Sequence, residues 1–412
     1  RDGQPYLWRC DANLYGLQDA GAVWWACARD WLLSLGFKQS TVDPCVFSLH
    51  RSNNLPTPEH HGPIQPPDFC IIGLYVDDTL GAYSSTSIKL WYLKEFETYF
   101  KQSPDSGSDH PEFIAIRFTV SDDKKTVRIN TPKLWGRLRQ RFGDMVLPEV
   151  TSPLPYSAMD LLYLPISDSN PILTKEEFDA FGILGVANWG VLACRPAESH
   201  AGALLARRAR VPTRSYAKCL THYCAYLLAH KDDCLTYKID PASPERDLRS
   251  LVDSSWGNCP ETMRSWFGYC ILWCGCAFSW RAKLQPCVAL ASRDAEAIAA
   301  VFAVKATLGF LIMLDELGFS PKSPCPIRVD NKATVDGAHS EKISKDSRFM
   351  AMRLKWLREM VLHDLIGISH ITTGDNIADV FTKILPATLH ARFRAILMGT
   401  ATLAAIYTLY II

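Results

Sequence analysis

Six carboxylates in this chain stand where a metal ion could be held. Asp77 and Asp78 sit side by side in LYVDDTL, residues 74–80, at the end of an apolar run that begins at Cys70. A tight hairpin turn and a metal site are both open readings of that pair. Four more acids occupy special positions in the C-terminal half. Asp253 ends a strand that begins near Leu248, and Asp330 ends the strand CPIRVD. Glu296 lies in the first turns of a long helix over 292–316, and Asp379 lies on a helix that follows the strand IGISHIT. Strand ends and helix starts at one edge of an α/β sheet are where ligands gather. Like charges that close are unfavourable unless cations neutralise them. Oxygen-only ligands favour Mg²⁺ or Mn²⁺. Two such ions, about 3.5–4 Å apart, can activate a water and stabilise the leaving oxygen of a phosphodiester. Taken singly, each acid also has an ordinary structural role open to it. Asp330 could cap the helix that follows it, and Asp379 could be a solvated helix acid.

The elements that must position these acids follow from periodicity. Residues 17–35 carry apolar residues at helical spacing around Trp24, Trp25 and Trp31, and stop at Gly36. DPCVFSLH (43–50) reads as a strand, 51–69 as a loop with five prolines, and 70–84 as two short strands with Asp77-Asp78 between them. A helix over 86–101, the strands FIAIRFTV and KTVRIN, and a basic helix from Pro132 to Phe142 follow. A Pro- and Ser-punctuated stretch over 147–171 leads to helices at 174–194, 196–208 and 213–230. From about 234, the strands LRSLVDSSW, WFGYCILW and CAFSWRA precede the long helix. Then come the strand ending at Asp330, a helix, a basic helix over 346–363, IGISHIT, and a helix over 375–383. Strands first, then strands alternating with helices, predict a mixed α/β sheet covered by helices.

The totals bound the rest. Of 412 residues, 48% are hydrophobic and 21% charged, an ordinary globular composition for several domains. A net charge of +1 means that affinity for nucleic acid must come from local patches. The 14 cysteines show no zinc spacing and are expected to be buried free thiols in a reducing compartment. Eighteen uncharged residues follow Arg394, at the lower limit for a membrane span. A tail anchor is the lesser reading there, against a core helix running into translated non-coding sequence. The chain opens at Arg1 without a Met, which suggests a fragment, a cleaved product or a truncated gene model.

Basic residues cluster at Lys133, Arg137, Arg139 and Arg141, and at Arg207, Arg208, Arg210, Arg214 and Lys218. A third cluster holds Lys342, Lys345, Arg348, Arg353, Lys355 and Arg358. Such clusters can track phosphates, or form solvated helix faces. Trp24, Trp25 and Trp31 could stack on bases, but core packing is the expectation. His60, His61 and His370 are read as structural.

Taken in order, these stretches resemble the reverse transcriptase–ribonuclease H region of copia-type retrotransposon polyproteins, from about residue 10 to 397. LYGLQDAGAVWWACARDWLLSLGF is similar to the family's LYGLKQAPRAW helix, TVDPCVF to ADPCLF, and LYVDDTL to the YVDD hairpin of the polymerase palm. FIAIRF stands where FLGIEI is usual, and GILGVANWGVLACRPAESHAGALLAR stands for GSLLYLANCTRPDIAYAV. VDSSWGNCPETMRSWFGY resembles DADWAGDPDDRRSTSGY, and FSWRAKLQPCVALASRDAEAIAA resembles ISWSSKKQKTVALSSTEAEYIAL. VDNKATV resembles CDNQSAI, and TTGDNIADVFTKIL resembles TEDQLADILTKPL.

The resemblance implies a partial reverse-transcriptase palm and thumb over 1–146 and a helical connection over 147–233. It implies a ribonuclease H-like domain over 234–397 and an apolar tail over 398–412. It places a ribonuclease H metal site for Mg²⁺ or Mn²⁺ on Asp253, Glu296, Asp330 and Asp379. Of the two acids in RDAEA, the second, Glu296, is the expected ligand. The implied reaction is hydrolysis of the RNA strand of an RNA–DNA hybrid, with the 2′-hydroxyl distinguishing the strand to be cut. The resemblance also puts polymerase metal acids at Asp77 and Asp78, with Tyr75 beside the primer end. Lys133, Arg137, Arg139, Arg141, Arg348 and Arg353 would contact a nucleic-acid template-primer.

The family's third polymerase carboxylate lies on a strand before LYGLKQAP, which these residues do not include. The polymerase site is therefore expected to be incomplete, with deoxynucleotides as substrates only if it is completed. The implied location is cytoplasmic, in a virus-like particle, or nuclear, with no small-molecule cofactor and no membrane partner. Asp19, Gly21 and Ala22 replace the family's Gln, Pro and Arg, and KHID reads Arg348-Phe349-Met350-Ala351. Ser255 replaces the second Asp of DADW. These departures support an alternative, a catalytically dead remnant that at most binds nucleic acid. A third reading, another metal-dependent nuclease or an integrase-like enzyme, is opposed by the ADVFTK and YVDD landmarks.

Overall fold

A computed structural model describes residues 20–51, 68–76, 78–101, 112–239, 247–319, 321, 323–341 and 350–402. These fall into two compact units. One holds the described residues of Arg1–Asp109 with Gly309–Ser320, the other those of His110–Leu308 with Pro321–Ile412.

In the first unit, α1 (Ala20–Ser34) precedes four antiparallel strands in chain order: β1 (Lys38–Gln39), β2 (Val46–Arg51), β3 (Asp68–Tyr75) and β4 (Asp78–Tyr83). α2 (Thr86–Phe100) starts where the Ser85 hydroxyl accepts the Ile88 N–H at 3.3 Å, a side-chain cap on an orphan donor. Alternation in β3 sends Cys70, Ile72 and Leu74 inward, where they meet Trp31 and Leu32 of α1 and Ile88 and Tyr92 of α2. Trp31 lies 5.1 Å and Trp24 4.9 Å from the Phe100 ring, so both pack in this aromatic core, as expected. In the β3–β4 hairpin Tyr75 pairs with Asp78, which leaves a two-residue loop. Val76 in that loop sits at φ 53°, an uncommon conformation for a β-branched residue.

The second unit opens with β5 (Glu112–Phe113), β6 (Ile116–Val120) and β7 (Thr126–Asn130), then α3 (Pro132–Gln140). Four helices follow: α4 (Ala158–Leu162), α5 (Ala180–Cys194), α6 (Ser199–Arg208) and α7 (Arg214–Ala229). β8 (Leu235–Lys238) then returns to pair antiparallel with β7. α5 starts later than the expected 174, because the Asp179 carboxylate accepts the Gly182 N–H at 3.1 Å and sets the first turn there.

Next come β9 (Arg249–Ser255), β10 (Trp266–Trp273), β11 (Cys276–Leu284) and the long helix α8 (Ser292–Glu316). β12 (Cys325–Val329), α9 (Lys332–His339), α10 (Ala351–Leu362), β13 (Ile366–His370) and α11 (Ala387–Leu397) complete it. The five strands order as β11-β10-β9-β12-β13, antiparallel on the β11 side and parallel from β9 to β13, which is the mixed α/β sheet expected. α8 is long and apolar enough to cross a membrane by length and composition, and within this unit it buries Ala295, Ile298, Ala299 and Ala303. The Ser250 and Thr307 hydroxyls pair at 2.7 Å between β9 and α8. On the other face one apolar cluster unites α5–α7 with Leu251, Trp266, Phe381 and Phe393.

The helix expected over 375–383 is instead a 3₁₀ turn, Ile377–Phe381. Asn376 is its cause: its Oδ1 accepts the Ala378 N–H at 3.2 Å while its Nδ2 donates to the Val252 carbonyl at 2.8 Å. The turn is thereby stitched to β9. Residues 342–349, which include Arg348, and 403–412 lie outside the described residues.

Gly268 of β10 pairs with Asp253 and allows the turn to come this close. A Cβ there would lie 2.3 Å from the Phe381 Cβ. Gly268→Ala is expected to cost about 1–3 kcal/mol in urea unfolding, as overpacking does. Gly185→Ala in α5, with nothing within 4 Å of its Cβ, should be neutral or mildly stabilising. Equal stability of the two variants would contradict this account of the packing.

Candidate metal centre

The sheet register brings the acids together. β12 runs parallel to β9 with Val329 opposite Val252, so Asp330, the next residue, falls beside Asp253. The 3₁₀ turn adds Asp379 from above. One carboxylate oxygen from each of Asp253, Asp330 and Asp379 lies within 4.8 Å of the other two. Among the described residues this is the only group of three or more such ligands. Asp253 is 1% exposed and Asp379 6%. His370 donates to the Asp330 carbonyl at 3.2 Å and so braces the strand end, a structural role in keeping with the sequence reading.

Glu296 approaches from α8. Its Oε1 accepts the Ser254 N–H at 3.0 Å, while Oε2 is buried with no hydrogen-bond partner among the described residues. Asp253 and Asp330 act on it electrostatically, although its oxygens are not part of the tight group of three. Asp294, the other acid of RDAEA, is buried outside that group with Arg293 3.7 Å away.

Burial first, and then the neighbouring carboxylates, make Asp379, Glu296 and Asp330 hard to ionise. The Asp379 carboxyl is pushed up to about 7 by burial and by Asp253. Glu296 lies well above the usual carboxylate range, through burial and then Asp253 and Asp330. Asp330 is raised by the same two effects, burial and Asp253. Buried acids so close together are compatible with a cation site.

The sequence reading did not single out the cation that stands there. Lys383 places its Nζ 2.8 Å from Asp379 Oδ1 and 3.2 Å from Asp253 Oδ1. Burial disfavours its charge, but Asp253 and Asp379 more than restore it, so the ammonium holds its proton more firmly than an ordinary lysine. The Thr382 hydroxyl donates to Asp253 Oδ2. Both residues lie in the ADVFTK motif, and Lys383 stands four residues beyond Asp379, a spacing that puts two side chains on one face of a helical turn.

The donor set fits a divalent cation. All the acceptors are carboxylate oxygens, the Glu296 Oε2 is orphaned beside them, and hard oxygen donors suit Mg²⁺ or Mn²⁺.

The hairpin acids are less defined. Asp77 lies outside the described residues, Asp78 is the exposed first residue of β4, and Tyr75 is about half exposed. Several cations are engaged within the chain. Lys133 and Arg117 both reach Glu112, at 2.6 and 2.8 Å, and Arg141 reaches Asp179 at 2.8 Å. Arg207 and Arg208 share Glu261, at 2.7 and 2.6 Å. Arg139 donates to the Met145 carbonyl at 3.2 Å, and Arg353 contacts the Met350 sulfur at 3.7 Å. Arg137 is an exposed residue of the last turn of α3.

No family model matches the chain. It is 24% identical over 384 residues to a retrovirus-related Pol polyprotein from transposon TNT 1-94 of Nicotiana tabacum, covering 92% of this chain and 27% of that protein. It is 22% identical to the Pol polyprotein from transposon RE1 of Arabidopsis thaliana over 397 residues, 95% of this chain and 25% of the relative. It is also 22% identical to that from transposon RE2 of Arabidopsis thaliana over 385 residues, 93% and 24%. The homologues of this chain are thus retrovirus-related Pol polyproteins of plant transposons, which bears out the copia-type resemblance. The chain spans about a quarter of the length of these relatives.

The raised acids predict a pH dependence. Unfolded Asp379 ionises near its ordinary 3.8, the folded residue near 7. Between these values the folded chain binds the extra proton, so metal-free stability should fall as pH rises from about 4 to about 7. Glu296 and Asp330 act in the same direction. Asp379→Asn should flatten part of this fall in urea midpoints measured in EDTA. A midpoint that rises or stays level across that window in the wild type would contradict the burial of these acids.

Proposed function

We propose that the segment 234–397 hydrolyses the RNA strand of RNA–DNA hybrids in a cation-dependent reaction. The observation that carries this reading is the meeting of Asp253, Asp330 and Asp379 oxygens within 4.8 Å, with the buried Glu296 Oε2 unpaired beside them. Homology to retrovirus-related Pol polyproteins supplies the context. Bound Mg²⁺ or Mn²⁺ would supply charge neutralisation, water activation and stabilisation of the leaving oxygen. Asp253 and Asp330 on neighbouring strands, with Glu296 and Asp379, would hold it. Asn376 and Thr382 fix the Asp379 turn and the Asp253 carboxylate in place. Burial keeps bulk water from competing for these oxygens, and the 2′-hydroxyl of the substrate selects the RNA strand.

In the same reading LYVDDTL is a polymerase-palm hairpin that contributes Asp77 and Asp78 to the metal acids of a polymerase site. The substitutions at Asp19, Gly21 and Ala351 favour a second reading, a remnant that binds nucleic acid without cutting it.

The test is cleavage of a hybrid labelled on its RNA strand by the full chain, with Mg²⁺ or Mn²⁺. Cutting of the RNA strand alone is expected, reduced about 100-fold or more by Asp253→Asn, at least the loss that outer-shell changes bring to metal sites. A folded chain that binds the hybrid but leaves it uncut with either ion would favour the remnant.

A further inference from the structure

Two residues that adjoin the clustered acids are bonded to one buried side-chain amide. Gln285, the residue that follows β11, is fully buried. Its Nε2 donates to the Ala295 carbonyl at 2.8 Å and to the Ser254 hydroxyl at 3.3 Å. Ser254 is the residue after Asp253 on β9, and Ala295 is the residue before Glu296 on α8. The Ser254 hydroxyl gives its own hydrogen to the Trp266 carbonyl at 3.1 Å, so toward Gln285 it can only accept. The backbone of Gln285 is itself fixed, because its N–H donates to the Ser265 carbonyl at 2.8 Å. The Trp256 indole N–H adds a further tie from the end of β9 to the approach to α8, donating to the Ala289 carbonyl at 2.9 Å.

We propose that Gln285 is a positioning residue for this centre, whose amide sets the gap between Asp253 and Glu296 by clamping the residue next to each. The proposal rests on the metal-centre reading above and deepens it. Asp253 and Glu296 come from a strand and a helix that must be held in register against the repulsion of their acids. The Ser254 N–H holds Glu296 Oε1 directly, at 3.0 Å. Gln285 ties the same two elements one residue away from each acid. Glutamine suits the task because an uncharged amide nitrogen offers two hydrogens, one for each acceptor, without burying a charge. A carboxylate offers none. An aliphatic side chain would leave the buried Ser254 hydroxyl and Ala295 carbonyl without this donor. Gln285 holds no ion itself and acts through Glu296 and Asp253.

The test measures the Mn²⁺ affinity of the full chain by calorimetry, taking as the centre's share the binding lost in Asp253→Asn. Gln285→Met keeps the length of the side chain and removes both hydrogens. It should weaken Mn²⁺ binding about 10- to 100-fold, the range for groups that orient a metal ligand from behind. In a Glu296→Gln background the same change should weaken binding little further, because the carboxylate it positions is already gone. Equal weakening in both backgrounds would mark a general structural lesion. That result, or unchanged affinity in folded Gln285→Met, would overturn the proposal. If Gln285→Met does not fold, Ser254→Ala takes its place in the same cycle, since it removes the acceptor on β9 and keeps the Ser254 N–H. A crystal structure of the metal-free variant gives a second readout. The Glu296 carboxylate should have moved off the Ser254 amide, and a carboxylate still bonded there would refute the clamp. If the wild type binds no Mn²⁺, the metal-centre reading fails, and this metal-free structure alone decides whether Gln285 holds Glu296 in place.

Discussion

The second unit is organised around a repulsion. Three carboxylates are held at the strand ends of a sheet with one oxygen of each within 4.8 Å of the other two, and a fourth, from α8, is buried nearby. Nothing in the hydrophobic core requires this. The parallel register of β9 and β12 sets Asp253 and Asp330 side by side. Asn376 and the close approach at Gly268 then pull the Asp379 turn onto the same spot. These contacts work against the charge, and buried like charges persist in a folded protein only when something compensates them. In the metal-free chain part of the compensation is Lys383, and part is protonation of acids whose ionisation burial opposes. In the proposed reading a divalent ion would complete it.

That constraint explains why the helices are where they are. α8 carries Glu296 to the Ser254 amide in its first turns and then packs its alanine-rich side against the sheet. β10 pairs Gly268 with Asp253 and leaves no side chain between the sheet and Phe381. α5–α7 supply a large shared core behind this sheet, so the charged edge is mounted on a well-packed body. Rigid support of this kind is what a catalytic or metal-binding constellation requires.

Much of this was legible in the sequence, for physical reasons. The strand periods and the long apolar helix fixed where Asp253, Glu296 and Asp330 fall, because strand ends and helix starts follow from periodicity alone. The Trp24 and Trp31 packing also followed from helical spacing. Three things were hidden. The Asp379 turn looked helical, because its spacing is the same whether or not Asn376 diverts the backbone into a tighter turn. Lys383 was not singled out, because only the tertiary approach of β9 to the turn gives it two carboxylates. Gly268 carried no signal, since a glycine needed for close approach reads like any other glycine in a strand. In the same way Lys133 and Arg141 read as phosphate contacts, while tertiary structure gives them Glu112 and Asp179 as partners.

The most direct test of the central claim, that these carboxylates form a cation site, is an anomalous difference map from crystals of the chain equilibrated with Mn²⁺. The account predicts a Mn²⁺ peak at the carboxylate oxygens of Asp253, Asp330 and Asp379. No peak at these carboxylates, in crystals where they keep the arrangement described above, would contradict it.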